Sequence, residues 1–220
     1  MIISRGRGYV FVHIPKTGGT ALALALEARA MKDDMMLGDT PKAKKRRNRL
    51  KAVQARGRLW KHSTLADIDG LVSLQDLAGL CAFTLVRNPW DRAVSYYHWL
   101  QTQTFDHAAV TLAKSRDFPA FVTHPVIQAS FRDAPASAYM RRADGVEQCA
   151  AYIRLEHFES DVQPVVDHLG FDLVLPKANS SDRDSDYRLY YTDTARAAVQ
   201  DACAEDIDRF GYDFDQGYLG

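Results

Sequence analysis

The chain's most constraining feature is a run of aromatic and β-branched residues, Tyr9-Val10-Phe11-Val12-His13-Ile14, that stops at Pro15. Such residues suit a packed strand, and proline cannot continue its hydrogen-bond ladder. Six residues, Pro15-Lys16-Thr17-Gly18-Gly19-Thr20, separate this run from Ala21–Arg29, a stretch of strong helix formers. The first predicted unit is therefore a strand buried on both faces, a glycine turn and a helix.

The same order recurs downstream. Cys81–Val86 reads as a second buried strand, Asn88 as a helix cap and Pro89 as a first-turn residue. On the following helix, from about Trp90 to Gln101, the residues Trp90, Val94, Tyr97 and Leu100 share one side. Tyr152–Leu155 is a third strand candidate, followed by a helix from about Ser160 to Leu169. A last helix runs from Thr192 to a stop at Gly211. Strands alternating with helices predict an α/β fold: a central, mainly parallel sheet with helices on both faces. A length of 220 residues fits a single domain over 1–220. Residues 32–60 form a basic insertion, either helix or mobile loop, and 104–145 hold short helices.

Lys plus Arg and Asp plus Glu each total 28, so the formal charge is zero and a uniformly basic nucleic-acid binder is excluded. The balance is uneven, however. Ten of the basic residues and none of the acidic ones lie between Thr40 and Ala66, leaving a net charge of minus ten on the rest. That band is a solvated basic surface or an attractor for a polyanion or a charged cofactor. With Trp60 as its one aromatic it fits no nucleic-acid recognition motif. Three cysteines, Cys81, Cys149 and Cys203, are too few and too irregular for a disulfide framework or a zinc site. Without an apolar run long enough for a bilayer or a leader, a cytoplasmic location is the expectation.

The first turn carries the chemistry. Glycines let successive N–H groups converge on an anion, the helix N-terminus adds partial positive charge, Lys16 adds a full one, and Thr17 and Thr20 add hydroxyls. The alternative is a turn whose glycines merely permit close packing. Lys16 precedes the glycines, so this is not the Walker A arrangement, and no acidic strand end stands ready for Mg²⁺. In the second unit, Arg87 follows a strand and suits bidentate contact with a phosphate, and Ser95 shares a helix face with Asn88 and Arg92. Arg92 is equally suited to an acidic partner, and Trp90 to the core. Of seven histidines, His62 follows the basic band directly, whereas His13 lies in the first strand and reads as packed.

Two of these segments together carry a resemblance. Phe11–Thr20 is similar to the 5′-phosphosulfate loop of sulfotransferases that use 3′-phosphoadenosine 5′-phosphosulfate (PAPS), closest to the carbohydrate and heparan sulfate 2-O-sulfotransferase branch. Leu85-Val86-Arg87-Asn88-Pro89-Trp90-Asp91-Arg92-Ala93-Val94-Ser95-Tyr96-Tyr97 resembles that family's 3′-phosphate motif. Arg154-Leu155-Glu156, Asn179-Ser180-Ser181 and Asp186–Tyr191 resemble its later segments. Ala21 departs from the pattern, where a second hydroxyl residue is usual.

The resemblance implies a P-loop-like architecture and transfer of a sulfuryl group to a hydroxyl acceptor, a carbohydrate first among them. It implies Pro15, Lys16, Thr17, Gly18, Gly19 and Thr20 at the 5′-phosphosulfate, Arg87 and Ser95 at the 3′-phosphate, and Asn179 and Arg188 in a cofactor-covering loop. His62 would be the general base and Lys16 the stabiliser of the leaving group, with no metal required. A P-loop kinase and a non-catalytic polyanion-binding protein are the alternatives.

Overall fold

A computed structural model describes residues 1–50, 53–176 and 183–215. In chain order the elements begin with β1 (Ile2–Ser4), β2 (Tyr9–Val12), α1 (Gly19–Ala28), β3 (Met35–Met36), α2 (Pro41–Arg46), α3 (Leu74–Ala78), β4 (Cys81–Val86) and α4 (Pro89–Gln101). They continue with α5 (Ala108–Ser115), α6 (Phe118–Val122), α7 (Pro125–Arg132), α8 (Ala136–Met140), β5 (Ala151–Arg154), α9 (Phe158–Asp161), α10 (Gln163–Leu169), α11 (Asp193–Ala202) and α12 (Ala204–Phe210). Short 3₁₀ turns cover Arg47–Leu50, Leu155–His157 and Tyr187–Tyr190.

The described residues group into two compact units, one from 1–86 and 136–176, the other from 87–135 and 183–215. The first holds a five-stranded sheet in the order β3-β1-β2-β4-β5. Its β2, β4 and β5 are parallel, with Val12 opposite Thr84 and Val86 opposite Arg154. β1 and β3 are antiparallel additions, so the sheet is mixed where a mainly parallel one was expected. A three-residue and a two-residue strand are too short to show an alternation in sequence.

Strand alternation splits this unit's core in two. Tyr9 and Phe11 of β2, Phe83 and Leu85 of β4 and Ile153 of β5 pack with α1 and α10. Val10, Val12 and Ala82 point the other way, onto Leu65, Ile68 and Leu77 and onto Met140 of α8. Helices on both faces are thus present in this unit. Each of the buried phenylalanines contributes about 2–3 kcal/mol from its removal from water.

The start of the basic insertion is tied within its own unit to Glu27 of α1 and to the Asp34 backbone. The Lys42 backbone N–H donates to Glu27 Oε1 at 2.9 Å, the Lys42 ammonium to the Glu27 carbonyl at 2.6 Å, and Arg46 to the Asp34 carbonyl at 3.2 Å. The insertion's first part is β3, α2 and a 3₁₀ turn rather than one long helix, and residues 53–60 follow as chain without helix or strand.

The second unit is helical. Trp90, Val94, Tyr97 and Leu100 of α4 pack on Phe118, Phe121 and Ile127 and on Ala195 and Val199 of α11, the side that the spacing predicts. Two expected long helices are each broken. Pro164, which lacks the N–H to continue a helix, separates α9 from α10 around Val162, and α11 ends at Cys203 before α12 begins.

Candidate functional site

The strand β2 ends two residues earlier than expected, at Val12, and the chain turns at Pro15–Lys16. Thr17 stabilises that turn: its buried hydroxyl donates to the Ile14 carbonyl at 2.9 Å. The Thr17 hydroxyl proton is thereby committed within the turn, so what it adds to an anion site is its backbone N–H. Lys16 adopts a left-handed backbone, φ 66°, which costs a residue with a Cβ about 1 kcal/mol. Strained backbone of this kind persists where the surroundings hold it and clusters at functional sites.

Gly18 follows at φ 85° and caps α1. Having no side chain, it offers nothing to the first-turn N–H groups. The contrast with α4 is direct, because there the Asn88 carboxamide oxygen accepts from both Trp90 and Asp91. Gly19 is required for a different reason. A Cβ on it would overlap the His13 ring.

His13 lies just past β2, 7% exposed, stacked on Phe11 at 5.9 Å and edge-on to His62 at 4.7 Å. Burial pushes its imidazole well below the ordinary value, and the positive charges of His62, Lys61 and Lys16 act in the same direction. His13 is therefore neutral and packed, as its place in the sequence suggests. What the sequence does not show is its backbone role. The His62 Nδ1 lies 2.7 Å from the His13 carbonyl oxygen. A carbonyl can only accept, so Nδ1 carries the proton, and in neutral His62 the lone pair is on Nε2. Trp60 meets the other side of His62, edge-on at 4.9 Å. One unit thus assembles Lys16, the glycine turn and a histidine with a fixed tautomer.

Trp60 also lines a cavity of about 490 Å³, formed with Lys61, the strand β3 and the basic band. Lys61 donates to Asp39 at 3.0 Å, which holds that carboxyl below the usual carboxylate range.

In the second unit, Arg87 binds Asp91 Oδ2 through Nε at 2.8 Å and Nη2 at 2.6 Å. Arg183 reaches the other oxygen of the same carboxylate at 2.5 Å. Two guanidiniums thus share one carboxylate. Arg87 lies just before the Asn88 cap and Asp91 in the first turn of α4, a four-residue spacing that brings the two within reach. No pattern in the sequence points to Arg183.

Arg92 pairs with Asp206 at 3.9 Å. Trp90 is a core residue whose indole N–H donates to the Arg196 carbonyl at 3.1 Å. Ser95 is buried on α4. Arg188 makes two 2.8 Å bonds to Asp186. Asn179 lies outside the described residues. Among the described residues no cluster of three potential metal ligands occurs, and no helix is long and apolar enough to cross a membrane.

No protein-family model matches the sequence, and the search of curated proteins finds no match. Among solved structures, the chain is similar to the mouse sulfotransferase SULT7A1 complexed with PAP, with 17% identity and a TM-score of 0.35. The likeness covers 97% of this chain and 76% of that one. At that level it assigns neither a fold nor a function.

Proposed function

We propose that this chain is a sulfotransferase that moves a sulfuryl group from PAPS to a hydroxyl acceptor. The supporting observation is the bond from His62 Nδ1 to the His13 carbonyl, which leaves Nε2 as the basic nitrogen in the unit that bears the Lys16–Thr20 turn. The donor set suits a phosphosulfate: a lysine, the Thr20 hydroxyl and the uncapped first turn of α1.

PAPS supplies an activated sulfuryl group, whose S–O bond to the bridging phosphate oxygen breaks as the acceptor oxygen bonds to sulfur. His62 Nε2 takes the acceptor's proton. Lys16 balances the charge left on the phosphate, and the backbone of Pro15–Thr20 holds that end in place. Arg87 and Ser95 take the 3′-phosphate, with Asn179 and Arg188 assigned by the sequence resemblance to the covering loop. Positioning and charge stabilisation supply most of the rate, as in phosphoryl transfer.

His62→Ala should lose roughly 10²–10⁴ of turnover while keeping its affinity for 3′-phosphoadenosine 5′-phosphate (PAP). Lys16→Ala and Arg87→Ala should each weaken PAP binding in calorimetry by about tenfold or more, the loss of one charge-assisted contact. Unchanged PAP affinity in both would sink the assignment. Stabilisation by ATP with Mg²⁺ and not by PAP would favour a kinase instead.

A further inference from the structure

We propose that the cavity beside Trp60 holds the acceptor, and that this acceptor is an amphiphilic anion: a hydroxylated compound with an apolar body and a carboxylate or sulfonate head. The proposal rests on the sulfotransferase reading, since it makes His62 the base that faces the acceptor.

Cavity and base are joined by Trp60, which lines the cavity, contacts the His62 ring and is 42% exposed. At about 490 Å³ the space is of ordinary ligand size. Its wall is apolar at Leu50, Leu59 and Trp60, and its charge comes from Arg47, Arg58 and Lys61. Among the described lining residues Asp39 is the single acid, and it is already engaged, by Lys61 at 3.0 Å and Arg47 at 3.8 Å. The described lining residues therefore carry a net charge of plus two. Arg58 lies over the Trp60 ring at 5.2 Å, which keeps a cation at the aromatic surface.

A neutral sugar gains little from this wall. Its hydroxyls are matched best by groups that both donate and accept, whereas the polar side chains among the described lining residues are three cations and Asp39, which Lys61 and Arg47 already engage. An apolar ring would instead gain from the wall, and an anionic head from the arginines and lysine.

Calorimetry on the full chain, without cofactor, tests the class with three probes: 6-hydroxy-2-naphthoate, 2-naphthol and glucuronate. The naphthoate should bind about tenfold or more tightly than either comparator, the size of one charge-assisted contact or one buried ring. The Arg47→Gln/Lys61→Gln variant should lose that advantage while its 2-naphthol affinity stays the same. Histidine NMR should show the His62 ring signals, identified by their loss in His62→Ala, moving on naphthoate addition.

Equal binding of the three probes, tightest binding of glucuronate, or no saturable naphthoate binding would each overturn the proposal. So would a bound naphthoate that leaves His62 unmoved. If the double variant does not fold, the probe ranking on the unaltered protein still decides. Naphthoate binding without PAP binding would reject the sulfotransferase reading and leave the ligand class standing. PAP binding without naphthoate binding would do the reverse.

Discussion

Protonating His13 would place a cation beside Lys16, Lys61 and His62 in a position already stripped of water. The folded chain therefore resists a proton that the unfolded chain accepts near the ordinary imidazole value of about 6.5. Above that pH both states are neutral at His13 and the residue has no effect. Below it the unfolded state binds more protons, so stability falls as pH falls, by up to about 1.4 kcal/mol per pH unit until the folded group titrates. Urea unfolding from pH 7.5 down to 5.5 should show this loss, and His13→Phe should remove close to one proton's worth of slope. Parallel slopes in the two proteins would contradict it.

Asp91 is a carboxylate held between Arg87 and Arg183. Asp91→Asn should cost about 3 kcal/mol by leaving two adjacent guanidiniums without their shared anion. Added inorganic sulfate should then raise the variant's Tm more than that of the unaltered protein. Equal shifts would deny an anion site there. At this scale a cation beside a glycine turn or at a strand end is legible in sequence, as Lys16 and Arg87 are. Those that act through fold-dependent geometry, such as the His13 carbonyl and Arg183, are not.

The junction of β2 and α1 depends on one missing methyl group. Gly19→Ala would gain helix propensity, at most about 1 kcal/mol and less in a first turn. Against that, its Cβ would overlap the His13 ring, and overpacking costs about 1–3 kcal/mol. The overlap should win, so the variant should show a lower Tm, and displacement of His13 should disturb the carbonyl that orients His62. A Tm equal to or above the parent's would mean that the ring moves aside without cost. Elements with a strong local signal are where the sequence puts them: β2 and β4 by their aromatic and β-branched runs, α4 by its Asn88 cap and apolar side. β1 and β3 are invisible because their pairing, Ile2 with Phe11 and Ile3 with Met35, is a tertiary fact. The breaks after α9 and α11 lie inside continuous helical patterns, although Pro164 marks one of them.

At the scale of the molecule, each unit is discontinuous in sequence, and no linker-like stretch marks where one gives way to the other. Composition cannot reveal such a division. It does reveal the charge partition, a band of ten cations against a remainder of minus ten, and the structure folds part of that band over Glu27 and Asp34. The pairing of β2 with β4 has a kinetic consequence, since the two strands meet across 72 residues, with the whole band in the intervening loop. Closing a long loop slows folding, and like charges confined within it oppose closure further. Sodium chloride shortens the reach of that repulsion, from about 10 Å at 0.1 M to about 3 Å at 1 M. Refolding followed by stopped-flow tryptophan fluorescence should therefore accelerate with salt, while unfolding changes little. A salt-independent folding limb would mean that the band docks before the sheet closes. The most basic segment of the chain would then no longer be what delays its own assembly.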